Sequence, residues 1–388
     1  MNQISSLKSQ TVLGILGSGQ LARMTALAAS ELGIITYIYC SESEVSPAEH
    51  VASKTFKGKF TDKVEIIKFC EKCDFVTLEN EFIDQDILNA IDTKFPNRLF
   101  PNSKTFNCIG DKISEKESFK KAGIKVVPFC AIHNIDDVVA FTKTHGYPVV
   151  LKSAKGGYDG YGNCTIKNES EIEAGILKLK ANDIKRSLLV EAFIPYVAEL
   201  AIMIARNKNE MVTYPIAHTV QENHICHYVS VPATLPKDNE IEIIENAKKA
   251  MIAIDAIGIF AFEFFLTKNG DLYLNESAPR PHNSGHYTIE GTITSQFHNH
   301  VRSVLNLPLG KTDLRSPHIM MLNLLGTQNG PAELNNANDF LKIPDGHLHL
   351  YGKKLSKVGR KMGHFTLLGK NQKVILTILE KLKSEYSL

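Results

Sequence analysis

The sequence predicts a mixed α/β and α+β protein. It should have a doubly wound N-terminal domain, a larger central domain and a small β-rich C-terminal domain. Three observations carry this. The first hundred residues alternate buried-strand and amphipathic-helix patterns, as in a parallel sheet wrapped by helices. The middle holds strands, a glycine-rich loop and a hairpin. Turn residues break the chain at Pro101, Asn102 and Ser103 and again at Pro308 and Gly310, dividing the 388 residues into 1–103, 104–307 and 308–388.

In order, TVLGILG reads as a buried strand, QLARMTALAASELG as an amphipathic helix and IITYIYC as a second strand. FTDKVEIIKFCEKC is helical, DFVTLEN is a strand, and LFPNSKTF is a linker. DKISEKESFKKAGIKVVPF opens the central region. The tail has strands HIMMLNLLG and HLHLYG and a last helix, KVILTILEKLKS.

Apolar residues make up 43% and charged residues 22%, which excludes a disordered, collagen-like or coiled-coil chain. Lys and Arg total 44 against 42 Asp and Glu, a net charge of +2. That balance gives no reason to expect nucleic acid or an anionic membrane as partner. Apolar runs fall short of the roughly 18–20 residues of a membrane span. No signal peptide is expected, and the cytoplasm is the expected compartment. The seven cysteines fit a reducing environment, with Cys70 and Cys73 read as two ordinary thiols at a helix end. His298/His300 and His347/His349 are read as strand pairs sharing a face, which alone is not a metal site.

Gly17-Ser18-Gly19-Gln20-Leu21-Ala22 follows a strand and opens a helix, and Glu42 lies twenty residues further on. Such a turn can bind a dinucleotide pyrophosphate, bind another anion, or simply turn the chain. All three readings stay open on this motif, and the first makes the chain an NAD(P)-dependent oxidoreductase.

VVLKSAKGGYDGYGN says more. Lys152 leaves a strand, and Gly156, Gly157, Gly160 and Gly162 form a loop able to close over a triphosphate with its N–H groups. Lys112 is a second candidate cation. The strand Leu188 to Ile194 can serve as an adenine platform, with Glu191 facing the amino group or ribose. Glu199, on another apolar strand, needs a cation or hydroxyls.

The hairpin from Phe260 to Glu276 carries the sharpest inference. Asn269-Gly270 is a preferred two-residue type I′ turn. With that turn, Lys268 pairs with Asp271 and Glu263 faces Glu276, their Cβ atoms about 5 Å apart. Two opposed carboxylates and the Asn275 oxygen are hard ligands suited to Mg²⁺.

A glycine-loop lysine, an adenine-type strand and a paired-carboxylate hairpin, in that order, resemble the ATP-grasp superfamily. Downstream lies Ala278-Pro279-Arg280-Pro281-His282-Asn283-Ser284-Gly285-His286, a dense donor set for a phosphorylated substrate. With LGSGQLARM, GGYDGYG, TSQFHNHVR and GRKMGH, the chain resembles the 5-(carboxyamino)imidazole ribonucleotide synthase family along nearly its whole length. The related formate-dependent glycinamide ribonucleotide transformylase has Asp-Thr-Gly-Met where this chain has Asn283-Ser284-Gly285-His286.

The resemblance implies a Rossmann-like N-terminal domain, an ATP-grasp domain of two subdomains and a C-terminal domain. It implies ATP binding by Lys112, Lys152, the loop residues Gly156, Gly157, Tyr158, Asp159, Gly160, Tyr161 and Gly162, then Glu191, Ala192, Phe193, Ile194, Glu199, Gln221, Asn275 and Glu276. Mg²⁺ goes to Glu263 and Glu276. Aminoimidazole ribonucleotide goes to Gln20, Glu79, Tyr158, Arg280, His282, Asn283, Ser284, Lys353 and Arg360, so the first glycine motif faces this ribonucleotide. Asp159, Lys353 and Arg280 are the implied catalytic residues, the first two close to the reacting bicarbonate and amine. Tyr161 stands where the family has Arg or Lys, and Gln221 where some relatives have histidine. The implied chemistry is two-step, through carboxyphosphate, in purine biosynthesis, and the implied assembly is a homodimer. The alternatives are a formate-type ligase, the oxidoreductase and a non-catalytic ATP-binding regulator.

Overall fold

The computed structural model describes residues 8, 10–41, 46–156, 162–181, 183, 185–222 and 225–388. Four parallel strands form the N-terminal sheet, in the order Lys54–Lys57, Ile35–Cys40, Val12–Leu16, Phe75–Leu78. On Val12–Leu16, Leu13 and Ile15 pack with Ala22, Ala26 and Ala29 of the helix Gln20–Ser30. Leu16 joins the opposite core with Ile66 and Phe69 of Lys63–Cys70 and with Ile87 and Leu88 of Gln85–Lys94. Alternation along the strand thus feeds both faces, as double winding requires.

The segment read as a linker becomes a helix, Ser103–Ile109, at once. Asn102 is its N-cap and accepts from the Thr105 N–H. Asn and Ser mark loops and helix starts alike. Cys70 ends the helix Lys63–Cys70 and both thiols of the pair are buried; burial pushes Cys70 up to about 12.

A second four-stranded sheet is antiparallel, in the order Phe129–Ile132, Leu188–Ala192, Val149–Ser153, Asn163–Ile166. Helices Ile135–His145 and Ile172–Lys180 share its core.

The largest sheet has nine strands. Its main path runs Leu272–Ala278, Gly258–Thr267, Tyr196–Arg206, Ala217–Glu222, Ile225–Val231, His318–Leu325, Lys361–Gly369, Gly346–Leu350, with Met211–Thr213 paired to the side. The C-terminal strands therefore extend the central sheet: Tyr228 pairs with Leu322 across the join. An open sheet edge is satisfied by the next strand available, whichever domain supplies it.

His298 and His300 lie on the helix Gln296–Val304 rather than on a strand. His300 is buried, accepts from the Ile259 N–H through Nδ1 and sits 2.9 Å from Thr77 Oγ1 through Nε2. It ties the N-terminal sheet to the largest one. Among the described residues, no helix is long and apolar enough to cross a membrane.

Candidate active site

The acidic hairpin is built differently from its sequence reading, yet brings the same two residues together. The turn is a three-residue loop, Lys268 to Gly270: Thr267 N–H donates to Asp271 O at 3.0 Å, and Gly270 takes φ +87°. Leu266 faces Leu272, Phe265 faces Tyr273 and Phe264 faces Leu274. Asp271 is left to Lys125, 2.8 Å away, not to Lys268. Continued unbroken, that register would set Glu263 opposite Asn275. A β-bulge at Asn275 intervenes, and Glu263 faces Glu276.

The bulge also changes sides. Leu272 and Leu274 point into the core with Phe260, Phe262 and Phe264, against the helix Lys237–Ala253. One extra residue reverses the parity. Glu276 and Ala278 thus share the face of Glu263 and Ala261, and both alanines lie in the opposite core.

The two carboxylates are electrostatically unlike. Lys112 Nζ pairs with Glu276 Oε2, and chiefly for that reason Glu276 is held well below the usual carboxylate range. Glu263 is pushed well above it, by burial first and then by Glu276 and Glu199. Among the described residues, His282 is a cationic candidate beside it, with Nε2 3.7 Å from Oε1. Glu199, on Tyr196–Arg206, is raised to about 7, mainly by burial, and accepts from Gln221 Nε2 at 3.1 Å. Among the described residues no cluster of three metal-ligating side chains stands ready for an ion; the opposed pair Glu263 and Glu276 offers two carboxylates of the hard-oxygen kind that a divalent cation takes.

Lys152 leaves the strand Val149–Ser153 and meets Glu191 Oε2 at 2.8 Å and Asn275 Oδ1 at 3.4 Å. Lys116, absent from the sequence reading, forms an ion pair with the other Glu191 oxygen at 3.1 Å, without hydrogen-bond geometry, and donates to Asn275 O at 2.8 Å. Glu191 was expected to face adenine or ribose; its carboxylate is instead turned inward onto two ammonium groups. Ala192, Phe193 and Ile194 follow at the strand exit, with Phe193 exposed. Gly156 and Gly162, both at positive φ, flank the loop. Gly157, Tyr158, Asp159, Gly160 and Tyr161 lie outside the described residues, as does Glu42.

Beyond the hairpin, Arg280 is clasped by Glu81: Nε donates to Oε2 at 2.7 Å and Nη2 to Oε1 at 3.2 Å. Burial raises Glu81, but the guanidinium outweighs it and the net is lowered. Asn283 and Asn323 exchange amide hydrogen bonds at 2.8 and 2.7 Å, so a C-terminal strand fixes a predicted substrate residue. Ser284 was expected to serve the substrate. It is buried, and its Oγ lies 2.8 Å from His282 Nδ1, so it orients that imidazole. Lys353 donates to Lys361 O at 2.6 Å and Arg360 to Leu355 O at 3.1 Å.

The first glycine motif is already filled. Glu79, at the exit of Phe75–Leu78, accepts from the N–H groups of Gly19 at 2.5 Å, Leu21 at 3.2 Å and Ala22 at 3.4 Å. A carboxylate of this chain thus sits where a dinucleotide phosphate would bind. Gly17, at φ +124°, is needed for the approach, since a Cβ there would lie 2.5 Å from the Glu79 Cβ. Gln20 opens the helix beside it.

Lys116, Glu81 and Asn323 were missed by sequence reasoning. Lys116 had a signal, standing four residues after Lys112 on one helix face. Glu81 lies two residues past Glu79, just beyond the strand Phe75–Leu78, and that spacing is its one sequence signal. Asn323 had none, being one polar residue in an apolar strand.

Two antiparallel sheets that meet where Lys152 of one reaches Asn275 of the other, with Lys112 beside a two-carboxylate hairpin, define an ATP-grasp protein. The ATP-grasp domain matches residues 117–297, the ribonucleotide synthetase preATP-grasp domain residues 10–110, and the phosphoribosylaminoimidazole carboxylase C-terminal domain residues 320–377. The chain belongs to the N5-carboxyaminoimidazole ribonucleotide synthase family. It is 35% identical over 366 residues to that synthase of Staphylococcus aureus, covering 94% of each chain. It is 38% identical over 373 residues to the phosphoribosylaminoimidazole carboxylase of Candida albicans, covering 93% of this chain and 64% of that longer protein. The solved synthetase of Thermotoga maritima superposes with a TM-score of 0.86 at 35% identity, over 97% of this chain and 99% of that one. The Aspergillus clavatus synthase in complex with ADP and 5-aminoimidazole ribonucleotide gives 0.85 at 30% identity, over 97% and 98%.

Proposed function

We propose that this chain carboxylates 5-aminoimidazole ribonucleotide with bicarbonate at the expense of ATP, releasing ADP and phosphate, as a ligase of purine biosynthesis. The observation that carries the reading is the convergence, around Glu276, of Lys112, Lys152, Glu263 and the Arg280–His282–Asn283 set. Phosphate-binding cations thereby stand beside donors for a second, anionic substrate.

Glu263 and Glu276 would hold Mg²⁺, and Glu199 adds negative charge beside them. Bound there, the ion supplies charge neutralisation for the transferring phosphoryl group. Lys112 and Lys152 bring positive charge to the phosphates, Lys152 by turning from Glu191 toward them. In the first step a bicarbonate oxygen bonds to the γ-phosphorus as the bond to the β,γ-bridging oxygen breaks, giving carboxyphosphate and ADP. In the second, the exocyclic amine bonds to the carboxyl carbon, either of carboxyphosphate as phosphate leaves or of the CO₂ formed when phosphate has left, and the amine loses a proton. Arg280, His282 and Asn283 are held by Glu81, Ser284 and Asn323, so the ribonucleotide meets donors that are already oriented. Gln20, Glu79, Lys353 and Arg360 complete its site in this reading, and Asp159 with Lys353 lies by the reacting groups. The divisions 1–103, 104–307 and 308–388, a homodimer and a cytoplasmic location belong to the same proposal.

The test is ADP release from ATP–Mg²⁺ with bicarbonate and aminoimidazole ribonucleotide added singly and together, and formate with glycinamide ribonucleotide as control. ADP release that needs the first pair supports the reading. Turnover with the formate pair alone overturns it.

A further inference from the structure

We propose that Lys116 is a positioning residue that frees Lys152 for the ATP phosphates by sharing the Glu191 carboxylate. The inference rests on the functional reading above, in which Lys152 binds phosphate.

Lys116 stands on the helix Lys112–Lys121, which presents Lys112 and Lys116 on one face. Of the two, Lys112 reaches the hairpin, where it pairs with Glu276. Lys116 is 2% exposed and lies behind it, with Nζ 3.1 Å from Glu191 Oε1 and 2.8 Å from the Asn275 carbonyl oxygen. The second Glu191 oxygen, Oε2, is 2.8 Å from Lys152 Nζ. One buried carboxylate therefore serves two ammonium groups, and Lys116 is too enclosed to touch a nucleotide.

The arrangement has a charge logic. A buried carboxylate with a single ammonium partner forms a closed neutral pair. Drawing that ammonium toward a phosphate strands the acid, at a cost typical of broken buried pairs. Here Glu191 keeps Lys116 when Lys152 turns to the phosphates, and the positive charge left over belongs to Lys152. The same Lys116 ammonium pins the carbonyl of the bulge residue, next in sequence to Glu276. Lys116 thus secures the acid behind Lys152 and the backbone beside the metal-type carboxylate.

The experiment compares wild type, Lys116→Met, Glu191→Gln and the double variant by equilibrium ATP binding and by KM for ATP and for the ribonucleotide, with thermal melting as a fold control. Lys116→Met should weaken ATP binding tenfold or more and leave the ribonucleotide KM within about twofold. The double variant should recover most of the loss, because a neutral amide no longer retains Lys152. A Lys116→Met protein with unchanged ATP binding overturns the proposal, as does a double variant no better than the single one, which marks a purely structural role. If Lys116→Met does not fold, Glu191→Gln against the double variant decides. The two should bind ATP alike, and a further tenfold loss on removing Lys116 overturns the proposal. Wild-type protein that binds no ATP would instead overturn the functional reading itself.

Discussion

Glu263 and Glu276 face each other because two departures from a regular hairpin cancel: a three-residue turn shifts the register by one, and the bulge at Asn275 shifts it back. The bulge also carries Glu276 from the core-facing side to the side of Glu263. Lys116 and Lys152 both bind Asn275, one through its carbonyl and one through its side-chain oxygen. The residue that sets the register is thus held by the cations of the same site.

The two acids should respond oppositely to neutralisation. Glu276→Gln removes the carboxylate that pairs with half-buried Lys112, so ATP turnover should be lost and the metal-free protein should also lose stability. Glu263→Gln should lose turnover too, but gain stability at neutral pH. The raised Glu263 folds with a proton that the unfolded chain has released. Its penalty is absent below the ordinary carboxylate pKa and grows as pH rises toward the raised value. Urea unfolding in chelator should show a gain of about 1 kcal/mol or more for Glu263→Gln near neutrality, shrinking toward about pH 4. A gain of equal size at both pH values would contradict this account.

Metal affinity should rise with pH. Binding Mg²⁺ requires the proton on Glu263, held by burial and by its carboxylate neighbours, to leave, and Glu199, raised to about 7, loses its own proton near neutrality. Deprotonation therefore favours the ion, by up to about tenfold per pH unit for one displaced proton. Mg²⁺ titrations from about pH 6 to about pH 8 would measure it. A flat affinity would mean that Glu263 is already ionised.

The sequence made some of this legible and hid the rest, for physical reasons. Strand and helix alternation over the first hundred residues was readable because a doubly wound sheet buries both faces of each strand. The opposition of Glu263 and Glu276 was readable from parity, although the turn and the bulge were not, since a three-residue loop ending in Gly270 and a two-residue Asn269-Gly270 turn share their residues. The continuation of the sheet into His318–Leu325 was invisible, because strand pairing across a domain join leaves no local pattern. The inward turn of Glu191 depended on Lys116, a residue whose charge looks solvent-directed until its helix is packed.

Glu81 should matter to the ribonucleotide and not to ATP. Its carboxylate holds Arg280 by two hydrogen bonds, fixing the guanidinium plane. Glu81→Gln keeps one acceptor and loses the charge. The ribonucleotide KM should rise by about tenfold, matching a loss of about 1.4 kcal/mol, with the ATP KM unchanged. Steady-state kinetics with each substrate varied in turn would check it. A matched rise in both constants would show that Arg280 serves the nucleotide.

Glu79 takes the N–H groups of the first glycine turn that a phosphate would otherwise use. Three backbone N–H groups at the start of Gln20–Ser30 end on its carboxylate, and burial raises it despite those bonds. Glu79→Ala removes both acceptor oxygens, and with them all three hydrogen bonds. Loss of a carboxylate that receives such bonds should cost about 1–3 kcal/mol of stability. The vacated turn also becomes a helix N-terminus open to small anions. Adding phosphate should then raise the melting temperature of Glu79→Ala more than that of wild type. If phosphate stabilises both equally, the turn is closed by its own backbone, and Glu79 is a ligand to it without being the reason it excludes an anion.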